Sequence, residues 1–180
     1  MIELRRVSFR FSEQSDWILK DISLEIGRGE AFGLLGTSGS GKTVLLKLIA
    51  GLLEPTEGEI LFQGSRALKN NQKSRREFAK LIGMSFQRGG LLDCFDVQEN
   101  IDFVLRELTR LKKPQRREIT EEILRKVGLQ EAADFPLKSL SGGMLKRLSV
   151  ARAMVLEPKI LLLDEPTAGL IPLPRQILSN

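Results

Sequence analysis

Eight residues, Gly36-Thr37-Ser38-Gly39-Ser40-Gly41-Lys42-Thr43, match G-x-x-x-x-G-K-[ST], the spacing of a phosphate-binding P-loop. Glycines let the backbone curl into a nest whose N–H groups point at one anion. Lys42 adds a positive charge that reaches the outer phosphates, and the Thr43 hydroxyl suits Mg²⁺. The alternative for such a stretch is a Gly/Ser-rich loop that binds nothing. Its flanks argue against that. Ala31-Phe32-Gly33-Leu34-Leu35 reads as a short buried strand, and Val44–Ala50 reads as a helix whose positive N-terminal end faces the loop.

Two further stretches carry chemistry. Leu140-Ser141-Gly142-Gly143-Met144 precedes a predicted helix over Leu145–Val155. Small residues at a helix start can bind an anion, though a lone Ser-Gly-Gly is more often only a cap. Lys159–Leu163 is an apolar strand running into Asp164-Glu165-Pro166. Asp164 can hold Mg²⁺ through water, and Glu165 can polarise an attacking water as general base. A lone Asp-Glu after a strand is as readily a turn or a helix cap.

The elements that must position these groups follow from periodicity. Ile2–Phe11 alternates apolar and polar and predicts an edge strand, Ser12–Asp16 a polar turn, and Trp17–Ile26 a second strand with Ile18, Ile22, Leu24 and Ile26 on one face. Gly27–Glu30 turns the chain toward the P-loop strand. Phe11, near that loop, suits either purine stacking or core packing; Trp17 reads as core. Gly51 and Pro55 end the first helix. Short strands are predicted over Gly58–Phe62 and Leu81–Phe86, the latter ending at Gln87, with a helical turn or two over Ser74–Ala79. Val97–Leu111 is amphipathic, Pro114 breaks it, and Gln115–Val127 forms a second helix closed by Gly128. This block reads as a helical subdomain inserted into a sheet domain.

Composition bounds the class. The sequence has 180 residues, a net charge of +5, one cysteine (Cys94) and no histidine. A domain of this size buries about 70% of its unfolded surface. A disulfide framework is excluded, and no imidazole can act as base, switch or ligand. Basic residues cluster over Lys69–Lys80 and Arg106–Arg117, but acids are interspersed, which reads as solvated helix faces rather than a nucleic-acid surface. No apolar run is long enough to span a bilayer, and the N-terminus lacks a signal-peptide core. A cytoplasmic protein that reaches membranes only through a partner is expected.

The order of these motifs resembles the nucleotide-binding domain of ABC transporters, from Ile2 to about Leu170. The resemblance implies an α/β fold: a P-loop NTPase sheet core with an N-terminal antiparallel β subdomain and an inserted helical subdomain. In those terms residues 1–87 are the β subdomain and P-loop core, 88–139 the helical subdomain, 140–170 the signature loop, its helix and the Walker B strand, and 171–180 a divergent tail. It further implies that residues Gly36–Val44 bind ATP, that Phe11 packs on adenine, and that Thr43, Gln87 and Asp164 serve Mg²⁺. Glu165 and Gln87 would be catalytic. Ser141, Gly142 and Gly143 would grip the γ-phosphate of ATP held by a second subunit, in a head-to-tail dimer docked on a transmembrane permease. The face around Gly89–Asn100 would receive that permease. The Leu-Ser-Gly-Gly-Met signature, with Met144 in place of the commoner glutamine, and the stretch Met84–Asp93 are similar to the Mla-type phospholipid and solvent-tolerance importers. A lipid cargo and a place on the cytoplasmic face of the inner membrane follow from that similarity.

Three departures qualify the expectation. Val44 replaces a second hydroxyl residue after Lys42. Ile171 stands where the family places a dimer-contact aspartate. Residues 172–180 diverge where members continue toward a switch histidine. The sequence therefore reads as a C-terminally truncated member, with its last strands and helices missing. Its alternative role is a non-hydrolysing, ATP-binding remnant or regulatory subunit. DNA-repair ATPases share the signature loop but carry long coiled coils or zinc modules, and translation-factor ATPases need a second cassette; neither fits.

Overall fold

The computed structural model describes residues 1–66, 72–86 and 90–164. They fall into two compact units, Met1–Ala79 and Lys80–Asn180.

The first unit is built on an antiparallel sheet of β1 (Ile2–Phe9), β2 (Leu19–Ile26), β3 (Glu57–Phe62) and β4 (Ser65–Arg66), in the order β2-β1-β3-β4. β1 is thus an interior strand, not the edge strand its alternation predicted. Alternation reports that one face is buried; it does not report how many neighbours hydrogen-bond the strand. Ile2, Leu4, Val7 and Phe9 are buried, while Glu3 and Arg5 take part in ion pairs on the other face. β1 bulges near Arg5–Arg6, where the register to both neighbours shifts. Gly58 answers the bulge: a Cβ there would lie 2.3 Å from the Arg6 carbonyl oxygen. Helix α1 (Lys42–Ile49) follows the P-loop and buries Leu45, Leu46, Leu48 and Ile49. Gly51, at φ +70°, closes it as predicted. Helix α2 (Gln72–Leu81) is longer than the sequence suggested, and Phe78 meets Phe62 edge to face at 6.0 Å.

The predicted strand over Ala31–Leu35 does not form. Phe32 is 46% and Leu35 98% exposed, and none of the described residues ladders with this segment. An extended apolar run becomes a strand only when its N–H and C=O groups find a neighbouring strand. Hydropathy alone does not supply one.

The second unit pairs β5 (Ile82–Ser85) with β6 (Ile160–Leu163) in parallel, Ser85 opposite Leu163. Its core gathers α3 (Val97–Leu108), α4 (Lys113–Lys126) and α5 (Gly142–Met154), with Val97, Ile101, Leu105, Leu124 and Leu148 almost wholly buried. α3 stops three residues short of the predicted end, because the Thr109 hydroxyl donates to the Leu105 carbonyl at 2.6 Å and its backbone turns extended. Pro114 does not separate the helices as expected. It lies in the first turn of α4, where a missing N–H costs nothing. Buried Asn100 donates from Nδ2 to the carbonyls of Leu92, Phe95 and Asp96 and accepts from the Leu92 N–H at 2.8 Å, which fixes the turn carrying the exposed Cys94. Among the described residues, no helix is long and apolar enough to cross a membrane.

Candidate functional site

The P-loop residues lie together at the start of α1. Gly39 and Gly41 hold φ of +82° and +89°, the left-handed region that favours glycine. A Cβ on Gly41 would stand 2.9 Å from Leu19 Cδ2 and 3.2 Å from the Ile18 carbonyl oxygen. The start of β2 therefore packs directly against the end of the loop. At Gly36 a Cβ would meet Ser40 Oγ at 2.7 Å, a side-chain hydroxyl that can rotate away, so Gly36 is less constrained than Gly41.

Helix α1 begins without a side-chain cap and without an acidic residue in its first turn. The first-turn amides of a helix lack intrahelical acceptors and carry the positive end of its dipole. Lys42 Nζ lies over the loop, donating to the Gly36 and Thr37 carbonyls at 2.7 and 2.8 Å. Left-handed glycines, an acid-free helix start and an ammonium at the loop form a cradle that fits a polyphosphate.

Phe11 is 69% exposed. Its ring meets Phe9 edge to face at 5.1 Å, which leaves it outside the core and available for stacking. Trp17 is half-buried, with the Arg10 guanidinium 4.5 Å from its ring centroid. Sequence reasoning did not find that cation–π pair; seven residues separate its members across a turn.

The remaining site residues belong to the second unit. Ser141 caps α5 by accepting from the Met144 N–H at 3.2 Å. Gly142 and Gly143 form the first turn of α5, so the helix starts three residues earlier than predicted. Asp164 directly follows β6, is buried, and donates its N–H to the Ser85 carbonyl at 3.0 Å. Arg152 of α5 lies against Gly90 beside Phe86, and burial holds its pKa below the usual guanidinium value. Gln87 and Glu165 lie outside the described residues, as does the tail from Ile171. The hydroxyl of Thr43 and the carboxylate of Asp164 are hard oxygen donors, the chemistry Mg²⁺ requires.

The loop, the helix start and the lysine define a phosphate-binding P-loop domain. Comparison with known proteins narrows the class. The ABC transporter family pattern matches residues 19–168, so the chain belongs to the ABC transporter family. It is 37% identical to an intermembrane phospholipid transport system ATP-binding protein of Haemophilus influenzae, over 96% of this chain and 65% of that protein. It is 41% identical to a probable ribonucleotide transport ATP-binding protein of Mycobacterium leprae, over 99% of this chain and 51% of that protein. The chain thus spans about half the length of the curated relatives it matches. Among solved structures, a dimeric ATP-binding cassette in a post-hydrolysis state with ADP and Pi superposes with a TM-score of 0.86 at 30% identity, over 96% of this chain and 77% of that one.

Proposed function

We propose that the chain is the ATP-binding subunit of an ABC transporter that moves lipid, of the Mla phospholipid-import type. The observation that carries the nucleotide assignment is the acid-free, uncapped start of α1, with Gly41 left-handed and Lys42 Nζ over the loop.

In this reading the amides of Gly39–Thr43 and the Lys42 ammonium hold the phosphates, and exposed Phe11 stacks on adenine. Thr43 and Asp164 hold Mg²⁺, which when bound neutralises phosphate charge. Glu165 takes a proton from the attacking water, and Gln87 orients it. Ser141, Gly142 and Gly143 contact the γ-phosphate in a second subunit's site, so the subunit works as a head-to-tail dimer. A transmembrane permease docks near Gly89–Asn100 and holds the dimer on the cytoplasmic face of the inner membrane.

Lipid cargo is supported by Met144 in the signature and by the phospholipid-transport name of the Haemophilus relative. The mycobacterial relative's ribonucleotide name supports a competing cargo. ATP binding to the 180-residue chain tests the core of the proposal. Lys42→Ala is expected to weaken binding roughly 10–100-fold, the worth of a charge-assisted hydrogen bond. Glu165→Gln is expected to retain binding and lose turnover. Equal affinity in wild type and Lys42→Ala would overturn the assignment. For cargo, the complex with its permease is expected to bind phospholipid and not ribonucleotide; the reverse result reassigns it.

A further inference from the structure

Two buried hydroxyls in the second unit have no part in the chemistry above. Ser85, the last residue of β5, and Ser149, at the middle of α5, place their Oγ atoms 2.8 Å apart; they are 9% and 2% exposed. Buried hydroxyls cost free energy unless matched, and once matched the bond fixes separation and register more tightly than apolar contact. Ser85 is joined twice. Its side chain meets α5, and its carbonyl accepts the Asp164 N–H at 3.0 Å. A second contact runs alongside, one helical turn on. A Cβ at Gly83 would stand 2.0 Å from the Ala153 carbonyl oxygen, so the α5 backbone rests on the β5 backbone.

We propose that Ser85 and Ser149 are positioning residues: their hydroxyl bond locks α5, which begins at Ser141–Gly143, to the strand end that sets Asp164. The inference rests on the nucleotide-binding reading for its consequence, because Asp164 is there the carboxylate that holds Mg²⁺. A sliding of α5 along its axis breaks the Oγ–Oγ bond and removes one of the two tethers on the end of β5, whose Ser85 carbonyl accepts the Asp164 N–H.

The test uses the 180-residue chain with Ser149→Ala, Ser85→Ala and the double variant. Hydrogen exchange of the Asp164 amide is read against amides of α3, which report global stability. ATP affinity is measured with Mg²⁺ and in EDTA. Each single variant is expected to speed Asp164 exchange roughly fivefold relative to α3, and to cut the Mg²⁺-dependent gain in ATP affinity by a similar factor, leaving affinity in EDTA unchanged. A purely structural pair would slow or speed all amides together and leave the Mg²⁺ gain intact; that outcome overturns the proposal. Should a single variant unfold, the double variant leaves no orphaned hydroxyl and supplies the measurement. Wild-type exchange at Asp164 in the double variant overturns the proposal. Absence of ATP binding in wild type sinks the nucleotide reading instead, and the exchange data still decide whether the lock exists.

Discussion

Gly41 and Gly64 share one backbone conformation but differ in what surrounds them. Both lie in the left-handed region, at φ +89° and +76°. Around Gly64 nothing lies within 4 Å of a would-be Cβ, whereas Gly41 faces Leu19 Cδ2 and the Ile18 carbonyl. Gly64→Ala should therefore cost only the left-handed penalty, about 1–2 kcal/mol. Gly41→Ala should cost more, because a backbone oxygen cannot swing aside, and should also weaken ATP binding. Urea denaturation and a binding isotherm on the two variants check this; equal costs would mean that β2 yields freely beside the loop.

At the element scale, the start of α3 makes a pH prediction. Asp96 accepts from the Glu99 N–H at 2.7 Å while the Glu99 carboxylate accepts from the Asp96 N–H, a reciprocal cap. Burial, together with the nearby charges of Glu99 and Asp134, raises the Asp96 pKa. A carboxyl whose folded pKa is raised favours folding most when protonated, and that advantage fades as pH climbs through the folded value. Asp96→Asn keeps the acceptor without the charge. It should equal or exceed wild-type stability at neutral pH, with the gap closing on acidification. Asp96→Ala loses the cap and should cost about 1 kcal/mol at neutral pH, and more on acidification, because it also forfeits the protonated carboxyl's advantage. Thermal melts between pH 4 and 7 decide. Packing on the same unit is less forgiving: Leu148, wholly buried among three helices, should cost about 2–5 kcal/mol when cut to Ala.

These elements also show what could be read in advance. The 3.6-residue spacing of Ile101, Leu105 and Leu108 predicted α3, because one helix face against a core is a local pattern. The P-loop was legible because its backbone requirements select glycine at fixed positions. Ala31–Leu35 misled because strand formation depends on a partner elsewhere in the chain. β1 was placed at an edge for the same reason. The Ser85–Ser149 bond was invisible, since 64 residues separate two serines that look like any others.

For the molecule as a whole, the P-loop belongs to the first unit and Asp164 and the α5 start to the second. A ligand that binds only the folded chain stabilises it by about 2.7 kcal/mol at a hundredfold excess over Kd. For a chain of this size that shifts Tm by about 5–10 °C. ATP should produce that rise in wild type and about half of it or less in Lys42→Ala at the same ATP concentration, measured by scanning calorimetry; identical shifts would point to binding away from the loop.

One detail of the second unit has a practical side. The sequence contains a single thiol, at Cys94, exposed on the turn that Asn100 holds against α3. A maleimide dye will therefore label one place only, with no engineering of the rest of the chain. Its emission would report on the segment where the permease is proposed to dock, and would serve as a built-in sensor of that encounter in titrations with solubilised partner.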